Sequence, residues 1–467
     1  MARGHAIDGG SSSTHEQIRR DLSCCLNTGF ENFIDKARRP YWTRGTPDET
    51  IKAVRDLGET HNGAPTQSPD TRKIGVDVRR MMLQRIMIMR GRVVGKTVNS
   101  NHNIRQDCVS RGFPMTKDLR NFIEAVTKKA PEQFLTIRQE VCPKWELSSI
   151  QKQLENENKF PLILFERVRG HDMKVVTNLF SSRRLLALAL DTTVESVAGR
   201  LMEARRNRIK PVMVHKGPVK DVIIIGDKVD LKKLPVVTHC EKDVGPYITA
   251  GIMITRDLGG SLNAGIYRNR LLSSDRLTAN FAPLTHAAQI ADKAEAEGKE
   301  LDAAIVVGHH PAMGICSQFR GQLGEFELEV MGGLLGEPVE MVPCETIDLP
   351  VPADAEIVIE GKIKPGVRDV DGPFGDYWLY YAQPVSARVF EVTAITHRYD
   401  AIYHDIYSVG PEHVILFSLG MEEVVLTQLR QIIPQVKAIN IPPSGVTELV
   451  YVPVSYTHLT LPTNREV

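Results

Sequence analysis

The spacing of apolar residues predicts a helix-rich region between residues 115 and 215. After Thr116, which can cap a helix, apolar residues recur three or four positions apart, the pattern of a surface helix. These residues are Leu119, Phe122, Ile123 and Val126. Two more helices are predicted over residues 146–156 and 194–207, with a buried strand over 160–166. Helices that alternate with an apolar strand are typical of a small α/β domain.

From residue 216 to 410 the pattern changes to short β-branched segments bounded by Gly, Pro or Asp, which predicts strands. The predicted strands cover residues 222–225, 247–255, 303–307, 355–360 and 388–396. Two helices are predicted among them, at about 286–297 and 325–335. Many short strands with few helices favour a barrel or a sandwich over a doubly wound sheet.

The two ends of the chain differ from this middle. Residues 411–454 return to an α/β pattern, with a helix predicted at about 421–433 and a strand at 436–441. Residues 455–467 have no periodicity and resemble a tail derived from cloning, so we expect a truncated C-terminal domain. Residues 1–114 are basic and poorly patterned, and we assign them no function.

Composition narrows the class of protein. Apolar residues make up 42% of the 467 residues and charged residues 25%, which is ordinary soluble globular usage. Seven cysteines without a C-x-x-C pair argue against a disulfide framework and against a structural zinc site. There is no apolar run long enough to span a bilayer and no signal-peptide core, so we expect a cytoplasmic protein.

Net charge bears on nucleic acid as a partner. A formal charge of +1 gives the whole chain no field that would recruit nucleic acid. A basic run over residues 79–96 leaves a nucleic-acid-binding arm as a minor alternative, since such a run is more often a solvated face. We therefore expect no nucleic-acid partner.

The loop from Asp371 to Tyr381 carries two carboxylates. Asp371 and Asp376 flank a Gly-Pro-Phe-Gly turn, and aromatic residues follow directly. Gly and Pro make the bend stiff, and apolar rings beside a carboxylate can raise its pKa and make it a general acid. A solvated turn before a strand explains the same residues, so both interpretations stay open from the pattern alone.

Three separate segments carry groups that can bind a metal. Asn263, His286 and Glu327 would supply an amide oxygen, an imidazole and a carboxylate, a set that suits Mn²⁺ or Mg²⁺ better than zinc. From spacing alone this indication is weak, because lone His and Glu residues are mostly structural or solvated. His309 and His310 follow a predicted strand, and we interpret them as residues at its end rather than as ligands.

From Met115 to about Val454 the chain resembles the UbiD family of prenylated-FMN-dependent decarboxylases. Seven motifs in order carry the resemblance: Met-Thr-Lys-Asp-Leu-Arg-Asn-Phe-Ile-Glu at 115–124, Lys-Leu-Pro-Val-Val-Thr at 233–238, Asn-Ala-Gly-Ile-Tyr-Arg at 263–268, Gly-Glu-Pro-Val-Glu at 336–340, Pro-Ala-Asp-Ala-Glu-Ile-Val-Ile-Glu-Gly at 352–361, Asp-Gly-Pro-Phe-Gly-Asp at 371–376 and Ile-Pro-Pro-Ser-Gly at 441–445. The resemblance implies an N-terminal α/β domain, a central split β-barrel that binds flavin, and a C-terminal α/β domain that supports a homodimer or higher homo-oligomer. It also implies a flavin prenyltransferase as the supplier of the cofactor.

The resemblance implies a metal and a cofactor site. Asn263, His286 and Glu327 would bind Mn²⁺, or Mg²⁺, at the cofactor phosphate, and K⁺ is a further candidate ion. Glu327 is preferred over Glu325 and Glu329 because its five-residue step to Gly332 fits the family spacing. The residues expected to contact the prenylated FMN are Ile266, Tyr267, Arg268, Ala282, Pro283, Leu284 and His286.

The resemblance also implies catalytic roles. Arg268 would face the substrate carboxylate, Asp376 would donate a proton, and Asp371 would complete an arginine–carboxylate network, although the family usually has Glu at that position. The function implied is a non-oxidative, reversible decarboxylation of an aromatic or α,β-unsaturated carboxylic acid. The alternative is a UbiD-like protein that binds the flavin phosphate without turnover.

Overall fold

The computed structural model describes residues 118–319, 321–445 and 447–453. Thr116, the predicted extension at 1–114 and the predicted tail at 455–467 lie outside the described residues. Among those described, residues Ala282–Ala288 belong to one compact unit and the others to a second, larger unit. The architecture below is that of the larger unit.

The first described elements form a helical layer on a small sheet. The helices are α1 (Leu119–Lys129), α2 (Glu146–Asn156), α3 (Arg183–Ala189) and α4 (Val197–Arg206). The strands are β1 (Phe134–Val141), β2 (Leu162–Val168) and β3 (Lys174–Thr177). They form a four-stranded sheet in the order β1-β2-β3-β18, where β18 (Ile402–His404) comes from much later in the chain.

The amphipathic pattern explains α1. Asp118 begins the helix, and its side chain accepts a hydrogen bond from the Asn121 amide at 2.8 Å, so the cap is Asp118 and not Thr116. The apolar face is buried as predicted, at Leu119, Phe122 and Val126. The prediction for α2 is confirmed to the residue, whereas β1, β3 and α3 were not predicted.

The middle of the chain is rich in strands, most of them paired antiparallel, which form one seven-stranded sheet and three smaller sheets. Its early strands are β4 (Val212–Met213), β5 (Val222–Ile225), β6 (Tyr247–Ile248), β7 (Ile252–Arg256), β8 (Leu262–Ile266), β9 (Asn269–Arg270) and β10 (Arg276–Ala279). Its later strands are β11 (Leu301–Val307), β12 (Glu340–Pro343), β13 (Pro350–Pro352), β14 (Ile357–Asp371), β15 (Phe374–Gly375), β16 (Tyr381–Ala382) and β17 (Val385–His397). The helices between them are α5 (His286–Ala296), α6 (Pro311–Cys316) and α7 (Glu327–Leu335).

The strand order places the ends of β8 and β14 in the same sheet. Seven strands pair in the order β10-β17-β14-β11-β7-β8, with β5 beside β17. The predicted strand-rich middle is thus confirmed within a mixed α/β fold, and over the described residues the hydrogen-bonded path does not close into a barrel. The predicted strand 247–255 is two strands, β6 and β7, because residues 249–251 between them are not in a strand.

The C-terminal part differs most from the prediction. Helix α8 runs over Pro411–Ile432, ten residues longer at its start than predicted. The strand predicted at 436–441 is wrong: among the described residues this segment has only the bridge residues Val436 and Asn440, of which Asn440 pairs with Tyr451. Val436, Ile439 and Ile441 are instead buried against Leu426 of α8, so their apolar pattern reflects packing on a helix. Over the described residues, none of the helices has the length and hydropathy needed to cross a membrane.

Candidate active site

A partly buried ion pair joins Arg268, the second residue after β8, to Asp371, the last residue of β14. Arg268 Nε and Nη2 donate to Asp371 Oδ1 at 2.9 and 2.7 Å. Asp371 is fully buried and also accepts from Thr278 Oγ1 at 2.7 Å and from Asn280 Nδ2 at 3.1 Å. The aspartate, one methylene shorter than glutamate, therefore reaches the arginine, and its carboxylate accepts from four donors.

The surroundings of Arg268 keep it charged. Burial opposes its charge, but Asp371 and then Asp376 raise its pKa above the ordinary value. The guanidinium also lies 4.7 Å from the ring centre of Phe374, within range of a cation–π contact. Arg268, Asp371 and Asp376 therefore belong to one electrostatic group.

Asp376 lies in a tight turn between β15 and β16. Its amide donates to Tyr380 O at 3.0 Å, and the Leu379 amide donates to Asp376 O at 2.9 Å. The side chain is half-buried and accepts a hydrogen bond from the Tyr377 amide at 2.7 Å. The turn holds the carboxylate close to the backbone, as expected for a stiff loop.

Residues 242–247, whose contacts the sequence did not indicate, hold this loop in place. Tyr247 Oη accepts from the Gly372 amide at 2.9 Å, and the Val244 amide donates to Pro373 O at 3.1 Å. Asp243 Oδ1 accepts from the Gly375 amide at 2.7 Å. These pairs are more than a hundred residues apart in the chain, so no local pattern could reveal them.

Asn263 of β8 and Glu327, the first residue of α7, form the second polar group. Asn263 Nδ2 donates to Glu327 Oε1 at 3.0 Å, and the Ala264 amide donates to Glu327 Oε2 at 2.7 Å. Both side chains are buried, and burial raises the pKa of Glu327 to about 8. Asn263 Oδ1 is buried and has no hydrogen-bond partner among the residues that the structure describes.

The other two candidate carboxylates have different surroundings. Glu325 lies 3.5 to 3.7 Å from the guanidinium groups of Arg208 and Arg205. Glu329 is half-buried on α7. The structure therefore places Glu327, of the three, beside Asn263. Among the described residues there is no cluster of three or more His, Cys, Asp or Glu side chains that could bind a metal.

His286 belongs to the smaller compact unit, together with Ala282, Pro283 and Leu284. Within that unit Thr285 Oγ1 donates to Ala282 O at 2.8 Å, and His286 begins α5. Its place beside Asn263 and Glu327 stays a prediction, as do the cofactor contacts of its neighbours.

The remaining predicted cofactor residues follow one another at the end of β8. The Tyr267 ring packs edge-on against Phe281 at 4.9 Å. Ile266 lines a small cavity together with Phe180, His309, His310 and His404, among others. Burial keeps these histidines uncharged by lowering their pKa values, and His310 accepts from the Ala312 amide at the start of α6. The histidine pair thus follows a strand end, as predicted.

Comparison with known proteins fits these observations. Residues 127–205 match the N-terminal domain of 3-octaprenyl-4-hydroxybenzoate carboxy-lyase, and residues 210–411 match its Rift-related domain. These two domains cover more than half of the chain. The chain is therefore a carboxy-lyase, an enzyme that removes CO₂ from a carboxylic acid.

More specifically, the chain belongs to the UbiD family. Anhydromevalonate phosphate decarboxylase of Methanothermobacter thermautotrophicus is 31% identical over 328 residues, which are 70% of this chain and 74% of that protein. The UbiD-class enzyme HmfF from Pelotomaculum thermopropionicum in complex with FMN is similar with a TM-score of 0.70 and 40% identity, covering 73% of this chain and 76% of HmfF. An evolved dimeric form of HmfF in complex with prFMN matches with a TM-score of 0.70 and 39% identity, covering 73% and 80% of the two chains. The mixed α/β multi-domain fold is that of the UbiD class.

Proposed function

We propose that this protein catalyses the non-oxidative, reversible decarboxylation of an aromatic or α,β-unsaturated carboxylic acid with prenylated FMN. The observation that carries the proposal is the ion pair of Arg268 with the fully buried Asp371, with Asp376 on the same loop. Membership of a carboxy-lyase family gives the reaction class. The flavins bound to HmfF support the cofactor.

Asn263 and Glu327 would hold a divalent cation at the phosphate of the cofactor. Asn263 Oδ1 is buried, has no hydrogen-bond partner within the described part of the chain and lies next to a buried carboxylate. This arrangement fits a hard cation, because both groups offer oxygen ligands. Mn²⁺ or Mg²⁺ suits such a set better than zinc. His286 is our third ligand, and Ile266 and Tyr267 would contact the flavin.

Arg268 would position the substrate. Because Asp371 takes Nε and Nη2, Nη1 is the guanidinium nitrogen left to face a carboxylate. The attraction disappears when the carboxylate becomes neutral CO₂, so the pair can orient the acid without holding the product. Losing CO₂ leaves an electron pair on carbon that side chains alone cannot stabilise, and prenylated FMN would supply the electron sink when bound.

Asp376 would then return a proton to that carbon. Its carboxyl O–H bond breaks, a C–H bond forms, and the remaining carboxylate takes a new proton from water. The charge of Asp376 raises the pKa of Arg268, which supports a position of the acid near the group that would hold the substrate. Asp371 keeps the arginine in place and takes no proton in this scheme.

The test compares turnover by two protein preparations, one from cells that also produce a flavin prenyltransferase and one from cells that do not. We expect CO₂ release from at least one acid in a panel of aryl and α,β-unsaturated acids, dependent on the prenyltransferase. Asp376→Asn should abolish product formation and keep the bound flavin, while Asp348→Asn, an exposed aspartate, should behave as wild type. A protein that binds flavin but turns over none of the acids would instead support the alternative of a non-catalytic flavin-phosphate-binding protein.

The same comparison bears on our expectation about assembly. A dimeric form of HmfF supports our expectation that this protein works as a homodimer or higher homo-oligomer. Light scattering on the purified protein tests it, and a monomer at all concentrations would contradict it.

A further inference from the structure

One carboxylate outside the proposed catalytic set reaches the loop that carries Asp376. Asp243 Oδ1 accepts from the Gly375 amide at 2.7 Å, and Oδ2 accepts from the Cys240 amide at 2.8 Å. The side chain thus bridges two backbone segments 135 residues apart in the chain, and one of these segments ends at the residue before Asp376.

The fit around Gly375 is close. A Cβ atom at Gly375 would lie 2.6 Å from Cys240 Sγ, so the two segments can lie this close together only with glycine at that position. The half-buried Asp243 carboxylate keeps its place at this contact through two backbone N–H donors. Removing a carboxylate from water costs free energy unless it is hydrogen-bonded, and these two donors supply the hydrogen bonds.

Neighbouring contacts do not replace this one. Tyr247 holds Gly372 and Val244 holds Pro373, both on the Asp371 side of the loop. Tyr381 Oη accepts from the Lys242 amide at 3.2 Å, on the far side of the turn. Asp243 is the side chain that fixes the backbone directly before Asp376.

We propose that Asp243 is a positioning residue for proton delivery by Asp376, because it fixes the Gly375 amide and with it the direction of the Asp376 side chain. The proposal rests on the proposed function, since it assigns Asp243 to the protonation step of that reaction. In that step CO₂ has already left, the Asp376 O–H bond breaks, and its proton forms the new C–H bond with the electron pair left on the substrate carbon. Asp243 itself gives and takes no proton.

The two half-reactions can be measured separately. Exchange of ¹³CO₂ into the substrate requires only that the C–C bond breaks and reforms, whereas product appears only after protonation. In Asp243→Asn the side chain has the same shape, but an NH₂ group faces one of the two amide donors. We expect product formation to fall by about tenfold to a hundredfold, the range that one unsatisfied buried donor implies, while ¹³CO₂ exchange and flavin content stay at the wild-type level.

Controls separate this proposal from the proposed function. Asp376→Asn should show the same split more strongly, and Asp348→Asn should show none. If product formation and ¹³CO₂ exchange fall together in Asp243→Asn, its role is structural only and the proposal is wrong. If neither falls, Asp243 does not position the acid. A wild-type protein that gives neither exchange nor product contradicts the proposed function instead.

A second measurement tests the proposal independently of catalytic activity. Hydrogen–deuterium exchange at the Gly375 amide should be faster by about tenfold in Asp243→Asn than in wild type, since its acceptor is lost or weakened. Exchange across β14 and β17 should stay unchanged and show that the variant is folded. An unchanged rate at Gly375 would overturn the proposal even in a protein without turnover.

Discussion

Arg268 and Asp371 meet through two guanidinium nitrogens on a single carboxylate oxygen, with the carboxylate wholly buried. Removing one partner of a buried pair leaves the other charge uncompensated, which costs more than the pair contributes. We expect Asp371→Asn to lower the free energy of unfolding by about 3 kcal/mol and to abolish turnover. Urea unfolding at pH 7 measures the first effect.

A double-mutant cycle tests whether the two residues act together. Arg268→Gln in the Asp371→Asn background should cost less than Arg268→Gln alone, with a coupling free energy of about 2 kcal/mol. Additive losses in unfolding free energy would show that the contact does not stabilise the protein.

Glu327 gives a prediction about metal binding. Because burial keeps its pKa at about 8, the carboxyl group is largely protonated at pH 7 in the metal-free protein. Glu327→Gln should therefore change metal-free stability by less than about 1 kcal/mol and lose Mn²⁺ binding. Calorimetric titration with Mn²⁺ checks this, with Glu329→Gln as the control that binds normally. Equal Mn²⁺ affinity in the two variants would remove Glu327 from the ligand set.

The sequence predicted α1 and α2 well because each has one apolar face, and a helix periodicity is a local property. It was wrong at 436–441 because apolar residues that pack on a helix look the same as a buried strand. The prediction began α8 ten residues late; in the structure Gly410 is the N-cap and Pro411 the first helical residue, a position where Pro is well tolerated.

The candidate site was predictable only in part. Asn263, Glu327, Arg268 and Asp371 were named from motifs, and the structure brings them together as two pairs. Spacing could not have paired them, since 64 residues separate one pair and 103 the other. Asp243 was missed altogether, because its partner is a backbone amide and a backbone amide leaves no signature in the sequence.

Arg120 gives a test of how α1 is attached to the rest of the larger unit. Its Nε and Nη2 each lie 2.9 Å from an oxygen of the fully buried Glu356, and Nη1 lies 2.7 Å from Asp400 Oδ1. Arg120→Met should lower the free energy of unfolding by about 3 kcal/mol, because Glu356 loses its bidentate partner. Arg138→Met, at an exposed ion pair, should cost less than about 0.5 kcal/mol. Similar losses of unfolding free energy in both variants would mean that burial of Glu356 does not increase the contribution of its ion pair to stability.

The buried histidines predict how stability depends on pH. Burial lowers the pKa of His309 to about 4, of His310 to about 3 and of His404 to about 4, against about 6.5 in an unfolded chain. Between these values the unfolded state binds protons that the native state does not, so stability is full above about pH 6.5 and is lost as the pH falls towards 4. Each histidine contributes a slope of up to about 1.4 kcal/mol per pH unit in that window.

His309→Gln isolates one of these contributions. Its unfolding free energy, measured by urea between pH 4.5 and 7.5, should decline with acid less steeply than that of wild type, by about 1.4 kcal/mol per pH unit. Groups that titrate in both proteins cancel in this difference, including the buried Glu412, whose pKa is raised by burial and which acts in the opposite direction. His215→Gln, at an exposed side chain, should leave the slope unchanged. Parallel pH profiles for His309→Gln and wild type would show that His309 takes up its proton as readily in the native state as in the unfolded one, and the cavity beside Ile266 would then have to accommodate a charged imidazole.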